Sequence, residues 1–260
     1  MIRRESPAPD RGLLQTVERA LQLLELFTHD TPEWGLSDAA RQLGLPKSVT
    51  FRLVETLAVH GYLSQNPDNK RYRLGLQLLA LGAVVTERMD LRRAAQPHME
   101  ELAQGTGETV FLMALEGDQA AVVAKVDSAS PIRVHMALGV PAPLTLGASN
   151  KVMLAFLPPE RIERILAQPL PTMTGRGATS VQQLRQDLAG IRRSGWAYTA
   201  GEVTPDVAGL GVPILDRRGH LLGGLSLGGP ASRLTPQKAA RILPILRSAA
   251  QEIAKALGDR

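Results

Sequence analysis

Gly224-Leu225-Ser226-Leu227-Gly228 matches the glycine–x–serine–x–glycine pattern of a hydrolase nucleophile elbow. An elbow needs a helix directly after the serine and a histidine further along the chain to serve as base. Here an apolar run continues into Gly229-Pro230, and the last histidine, His220, precedes the serine. The pentapeptide therefore reads as a glycine-rich strand, with Ser226 left as a polar group that a ligand could touch. The five histidines (His29, His60, His98, His135 and His220) lie far apart, without the short spacing of a zinc site. Cysteine is absent, which removes disulfides, thiolate metal sites and cysteine nucleophiles. No Walker loop or dinucleotide fingerprint occurs. The residues lead us to expect no enzyme, no metal and no cofactor.

Two stretches carry binding chemistry instead. Leu144–Lys151, LTLGASNK, runs into a helix with Val152, Ala155 and Phe156 on one face. Free N–H groups at a helix start suit an anion such as a small carboxylate. Plain capping of that helix by Ser149 or Asn150 accounts for the same residues equally well. No Asp or Glu lies in LGASN, so a cation is not expected there.

The second stretch is Leu36–Leu63, which reads as two short helices joined by a tight turn. Ser37 suits the N-cap of the first, and Asp38 its positive dipole end. Gly44 closes that helix and Pro46 starts the next. In the second helix Thr50, Leu53, Val54 and Leu57 share one face, while Ser48, Arg52 and Glu55 point away from it. A hydroxyl and a guanidinium are groups that read phosphates and base edges in a major groove. A solvated helix in any small bundle would show the same pattern. The residues after Leu63 favour DNA. Asn66-Pro67-Asp68-Asn69 is a turn between Tyr62 and Ser64 on one side and Tyr72 and Leu74 on the other. On that hairpin Tyr72 and Leu74 are expected inward, with Arg71 and Arg73 outward. Helix, turn, helix and basic hairpin make the layout of a winged helix-turn-helix.

The rest of the chain must hold these two stretches. Its 260 residues suffice for two domains, and 44% hydrophobic content with 21% charged is ordinary for a protein with a buried core. Aromatics at 3% argue against stacking on single strands. The net charge of +5 does not point to DNA by itself, because residues 1–90 carry 11 basic and 11 acidic groups. The local balance does: six basic against three acidic residues between Leu36 and Leu74. Residues 1–12 read as a flexible arm, with no apolar core for a signal peptide. A helix from about Thr16 should bury Val17, Ala20, Leu21, Leu24 and Phe27, and His29–Gly35 should be a loop. Leu76 to about Met89 is a helix apolar on more than one side, suited to a core or to a linker. Leu91–Gly105 is helical again. TVFLMALEG, QAAVVAKVD and PIRVHMALG read as strands, and GVPILD with HLLGGLSLGG as a hairpin turning at Arg217-Arg218-Gly219. Helices are expected at about 150–157, 159–166, 181–194 and 236–257, giving an α+β domain. The longest apolar run, LGLQLLALGAVV, is too short for a membrane span.

The ordered set TVERALQLLELF, LSDAARQLGLPKSVTFRLVETLAVHGYL and YRLG, followed by GETVFLMALEG, LGASNKVMLAFLP, GWAYTAGEV and GVPILD…GGLSLGGPASR, resembles the IclR family of bacterial transcriptional regulators. The likeness runs from about Thr16 to Gly258. It implies a winged helix-turn-helix over 13–75, a linker helix over 76–90 that also pairs subunits, and a GAF-like effector-binding domain over 91–260, with an antiparallel sheet flanked by helices. It implies operator DNA as a partner, with Ser37, Lys47, Ser48, Phe51, Arg52, Lys70, Arg71 and Arg73 at the DNA. A small organic acid is implied as effector, contacted by Val134, Ala142, Ala148, Ser149, Asn150, Thr199, Val207, Gly209, Ser226 and Gly228. A homodimer or homotetramer in the cytoplasm, away from membranes, is implied as well. Asn150 departs from the family's usual glycine before the lysine. Gly209 and Gly228 stand where cysteine and serine are common, leaving room for a ring or a chain of several carbons. A different class of function, a metabolite-binding enzyme with an N-terminal helical interaction module, would turn over a substrate and have no preferred operator.

Overall fold

A computed structural model describes residues 13–87 and 90–258. The arm expected over 1–12 and the expected linker residues 88 and 89 lie outside the described residues. The chain divides into two compact units between Arg88 and Met89.

The first unit contains α1 (Gln15–Glu25), β1 (Glu33–Trp34), α2 (Leu36–Leu43), α3 (Lys47–Val59), β2 (Leu63–Gln65), β3 (Tyr72–Leu74) and α4 (Leu76–Glu87). Its core gathers Leu23, Ala39, Leu53, Val54, Leu63 and Tyr72. Leu23 of α1 is buried in this core, with Ala20, Leu24 and, just past the helix, Phe27 partly buried beside it at i, i+4 and i+7 from Ala20. Val17 and Leu21, expected inside, are more than half exposed, because Leu23 rather than Leu21 faces the core. Gly44 ends α2 in the left-handed conformation at φ 65°. Ser37 does not cap that helix. Gly35 is the N-cap, no side chain bonds the helix start, and Ser37 lies exposed in the first turn. The reason is upstream: Trp34 pairs with Tyr72 in the sheet, so the helix must begin directly after it.

Glu33 and Trp34, expected in a loop, form the outer strand of a three-stranded sheet in the order β1-β3-β2. Trp34 Nε1 donates to the Leu26 carbonyl at 2.9 Å, which pins the strand to the end of α1. The β2–β3 hairpin stands as expected, with Tyr72 buried and Arg73 exposed. Leu74 is 44% exposed rather than inward, because the core ends beneath Tyr72. α4 is not a core helix. Leu76 and Leu79 are 82% and 71% exposed.

The second unit begins with α5 (Asp90–Thr106), β4 (Thr109–Glu116), β5 (Gln119–Val126) and β6 (Pro141–Pro143). It continues through α6 (Ala148–Ala155), α7 (Pro159–Leu166), α8 (Val181–Ser194), β7 (Ala197–Ala200), β8 (Val207–Leu215), β9 (Leu221–Pro230) and α9 (Pro236–Gly258). The strands form one antiparallel sheet in the order β6-β5-β4-β9-β8-β7. Period-two alternation splits its side chains between two cores. Leu112, Leu210, Val212, Leu225 and Leu227 pack with Met99, Leu246 and Ile253 of α5 and α9. Phe111, Met113 and Val122 pack with Val152, Leu154, Leu166 and Leu184 of α6 to α8. Pro131–Gly139, expected as a strand, has no ladder. Its backbone bonds Arg233 through the Ile132 carbonyl and Val122 through the Gly139 N–H, so it crosses above the sheet as a loop. None of the described helices is long and apolar enough to cross a membrane.

Candidate functional sites

The first site is the exposed face of α3. Thr50, Leu53 and Val54 are buried, which turns Lys47, Ser48, Phe51 and Arg52 to solvent. The Thr50 hydroxyl donates to the Pro46 carbonyl at 3.2 Å. This one-turn back-bond lets a fully buried hydroxyl sit in an apolar face. Ser48 and Arg52 stand one turn apart on the outward side, with Phe51, 45% exposed, beside them. A guanidinium can take guanine in the major groove, and an exposed ring can meet a thymine methyl.

The wing supplies the backbone contacts such a helix needs. Lys70 sits at its tip, exposed, with φ 57°, and Arg73 is exposed with its Nε 3.2 Å from Ser64 Oγ. Arg71 is different. It is half-buried, and its Nη2 donates to the Glu33 carbonyl at 3.3 Å, so it ties the wing to β1. The Glu33 carboxylate accepts from Asn69 at 2.8 Å and Asn66 at 3.1 Å. Those two bonds, Asn69's first, hold its carboxyl below the usual range. Glu33 thus shapes the wing turn from more than thirty residues upstream, and no local motif announces it.

The second site is a cavity of about 80 Å³ between α6 and the sheet. Its floor follows from side chains that are missing. On the β8–β9 face toward α6, alternate positions are Gly209, Gly211, Gly224, Ser226 and Gly228. A β-carbon on Gly211 would lie 2.7 Å from the Ser149 nitrogen, and one on Gly224 would lie 3.0 Å from the Met153 side chain. The helix therefore rests directly on bare sheet, and the cavity is the space beyond its first turn. Nine of the ten expected ligand residues line it: Val134, Ala148, Ser149, Asn150, Thr199, Val207, Gly209, Ser226 and Gly228. Ala142 does not. It pairs with Ala120 on β6, at the far edge of the sheet. Ser226 lies within β9 and not on an elbow.

Neither Ser149 nor Asn150 caps α6. Gly147 is the N-cap at φ 85° and has no side chain of its own to bond the helix start. Asn150 is buried, and its Nδ2 donates to the Pro143 carbonyl at 3.0 Å. Its Oδ1 has no partner among the described residues. A buried acceptor left so costs about 1–3 kcal/mol.

Several lining residues were not anticipated. Phe111 and Met136 close the cavity above Gly228, where a β-carbon would come within 2.9 Å of the Phe111 ring. The room expected at Gly228 is thus filled by Phe111, whereas a β-carbon on Gly209 would meet only ordinary contacts at 3.5 Å or more. Glu202 also reaches the lining, which puts a carboxylate beside a loop that has none of its own. It is neutralised there. Oε1 accepts from Lys151 Nζ at 2.6 Å, and Oε2 from the Gly147 N–H at 3.0 Å. With Lys151 5% and Glu202 11% exposed, loss of either partner would cost about 3–5 kcal/mol.

The loop above the cavity has its own anchor. Glu108 is fully buried and accepts from Arg233 Nη2 and Lys238 Nζ, both at 2.7 Å. Arg233 also donates to Ser130 Oγ at 3.0 Å and the Ile132 carbonyl at 3.1 Å. That fixes the chain just before Val134 and Met136. A wider cleft of about 320 Å³ lies near Val212, Arg247 and Gln251. Its Arg247 is committed to the Ser194 carbonyl, and it brings together no comparable set of polar groups.

Comparison with known proteins finds matches over most of the chain. Residues 16–67 match the model of the IclR helix-turn-helix domain, and residues 83–255 that of the bacterial transcriptional regulator IclR C-terminal domain. The chain is 31% identical to the HTH-type transcriptional regulator XynR of Escherichia coli K12, over 95% of this chain and 98% of that protein. It is 32% identical to the glycerol operon regulatory protein of Streptomyces griseus, over 94% and 97%. Among solved structures, Thermotoga maritima IclR superposes with a TM-score of 0.79 at 28% identity, covering 94% and 98%. An IclR homolog from Microbacterium hydrocarbonoxydans, complexed with 4-hydroxybenzoate, superposes with a TM-score of 0.81 at 28% identity, covering 94% and 100%.

Proposed function

The chain belongs to the IclR family of bacterial transcriptional regulators, and from that premise we propose that it is a cytoplasmic regulator reading operator DNA through α3 and sensing a small organic acid in the cavity beneath α6. Residues 13–75 form the reading domain, 76–90 the linker and 91–260 the sensing domain. Ser48 and Arg52 contact bases, with Phe51 beside them. Ser37, Lys47, Lys70 and Arg73 meet the phosphates, and Arg71 shapes the wing that carries the last two. The organic-acid reading rests on one observation above all. The start of α6 lies against a wall of glycines and apolar side chains, and past the Gly147 N–H, which Glu202 takes, its N-cap glycine offers no capping side chain. A carboxylate suits the helix end, and an apolar body suits Val134, Phe111 and Val207. The Microbacterium relative's 4-hydroxybenzoate is a ligand of that type.

The protein works as a homodimer or homotetramer. α4 supports this, because its apolar side chains are uncovered within one chain and a second copy would cover them. In that assembly, two α3 helices read two half-sites, and the acid changes how they are presented. The enzyme alternative loses its support, since the family models and the relatives are transcriptional regulators.

Binding-site selection followed by titration against the selected and a scrambled duplex tests the DNA half. A specificity ratio near one overturns it. A thermal-shift screen of organic acids and amines tests the sensing half. It fails if no acid raises the melting temperature, or if amines raise it more.

A further inference from the structure

Glu33 puts a carboxylate at the wing, beside Lys70, Arg71 and Arg73, where the partner is a polyanion. By charge alone it would weaken DNA binding. Its hydrogen bonds act the other way. In the wing turn, Asn66 Oδ1 accepts from the Asp68 N–H at 3.0 Å, and Asn69 Oδ1 from the Arg71 N–H at 2.9 Å. With both oxygens used, neither amide can be turned round without setting its NH2 against an N–H. The two Nδ2 groups therefore need two acceptors in one place. Glu33 supplies them, Oε1 to Asn66 at 3.1 Å and Oε2 to Asn69 at 2.8 Å. An ionised carboxylate has two acceptor atoms and no donor, whereas a carboxamide would set one NH2 against another. Glu33 is itself fixed, since it pairs with Arg73 in the sheet and its carbonyl accepts from Arg71 Nη2 at 3.3 Å.

Lys70 stands between the two residues so held. Its φ of 57° is one that an L side chain rarely adopts. Its N–H donates to the Asn66 carbonyl at 3.0 Å, its carbonyl accepts from Gln65 Nε2 at 3.0 Å, and its side chain is exposed. We propose that Glu33 is a positioning residue for DNA binding: its carboxylate clamps Asn66 and Asn69 and so holds Lys70 in the left-handed conformation that presents its ammonium to a backbone phosphate. This rests on the reading above that the wing meets phosphates, and it names the residue that sets the contact. What Lys70 gains from being placed outweighs the repulsion that Glu33 brings, so neutralising this acid weakens binding.

The test is titration of the full-length protein by fluorescence anisotropy, against the selected duplex and a scrambled one, across a range of salt. Glu33→Gln is expected to weaken both duplexes about as much as Lys70→Gly does, and to lower the slope of log affinity against log salt by about one. Base preference in site selection should not change. Asp68→Asn removes an equal charge from the same turn without touching these bonds, and should bind as tightly as wild type or tighter. Glu33→Gln combined with Asn69→Asp should recover the affinity, because the carboxamide then donates to the new carboxylate while its oxygen still accepts from Asn66. Melting curves check each fold. Asn69→Ala cuts the clamp from its other side, should match Glu33→Gln, and replaces it if that variant does not fold. Binding by Glu33→Gln as tight as wild type, or tighter, overturns the proposal and leaves the wing reading standing if Lys70→Gly still weakens. A loss with unchanged salt slope, or one that the double variant does not recover, also overturns it, because Glu33 then only supports the fold. If Lys70→Gly and Arg73→Ala both leave affinity and slope unchanged, the wing reading falls and takes this proposal with it.

Discussion

Gly209 and Gly211 lie two residues apart on β8 and face the same way, and alanine at each should have opposite effects. Neither has a positive φ, so alanine strains neither backbone. Replacing glycine in such a conformation restricts the unfolded chain and stabilises by about 0.4–1 kcal/mol. At Gly209 that is nearly the whole effect, because the new carbon meets Ala148 Cβ at 3.5 Å and nothing closer. At Gly211 it would lie 2.7 Å from the Ser149 nitrogen, 2.8 Å from its α-carbon and 3.0 Å from the Ala148 carbonyl carbon, all backbone. α6 cannot easily retreat. Lys151 holds it to Glu202, which in turn holds Gly147. Overpacking of this kind costs about 1–3 kcal/mol. The two variants should therefore differ by about that amount, or by about 2–12 °C in melting temperature at 2–4 °C per kcal/mol. Scanning calorimetry on the transition of the second unit reads this directly, with Gly209→Ala expected at or slightly above wild type. If Gly211→Ala melts as high as Gly209→Ala, α6 does not rest on bare sheet, and the cavity built from that contact is wrong.

Four further outcomes are expected. Arg52→Ala should weaken specific DNA binding by about 1–3 kcal/mol and flatten preference at one base position, read by binding-site selection; an unchanged preference rules out base contact. Arg73→Ala should weaken all duplexes alike and lower the slope of log affinity against log salt by about one, whereas an unchanged slope means the wing misses the phosphates. Thr50→Val should change stability by no more than about 0.5 kcal/mol in urea titration, since the Pro46 carbonyl keeps its bonds from Val49 and Thr50 N–H; a larger loss means the hydroxyl holds the turn. Asp118 accepts from Arg164 and Arg161, and Arg164's bond chiefly holds its carboxyl below the usual range. A lowered folded pKa adds stability above the unfolded carboxylate value of about 4 and loses it as pH falls below that. Asp118→Asn should therefore flatten the acid limb of a melting-temperature profile, and an identical limb refutes the linkage.

Much of the first unit was legible because its signals are local. The stripe of Thr50, Leu53 and Val54 sets the phase of α3 wherever the helix sits, so Ser48 and Arg52 face outward by geometry alone. Gly44 works through its own backbone and the Asn66–Asn69 turn through local asparagine bonds to which Glu33 adds its own, and both stand where the residues put them. α7 and α8 fall on the expected residues for the same reason: a proline start in one, a Ser180 cap and a closing Gly195 in the other. Where the pattern misled, a distant partner had decided. Glu33-Trp34 became a strand only because β3 offered an edge, and that pairing moved the start of α2 ahead of Ser37. Pro131–Gly139 has strand-like alternation, yet Arg233 and Val122 hold it as a loop.

The cavity shows the same division. The loop LGASN and the family resemblance together pointed to nine residues of its wall. Residue types alone could not tell that Phe111 would take up the room above Gly228, or that Glu202 would arrive beside Gly147 with Lys151 as its counter-charge. Nor could they show that Asn150 would keep an acceptor without a donor. Each depends on side chains from different strands and helices meeting at a set distance. Sequence order carries residue types and local periodicity, whereas steric filling, ion pairing and hydrogen-bond satisfaction are properties of the packed chain.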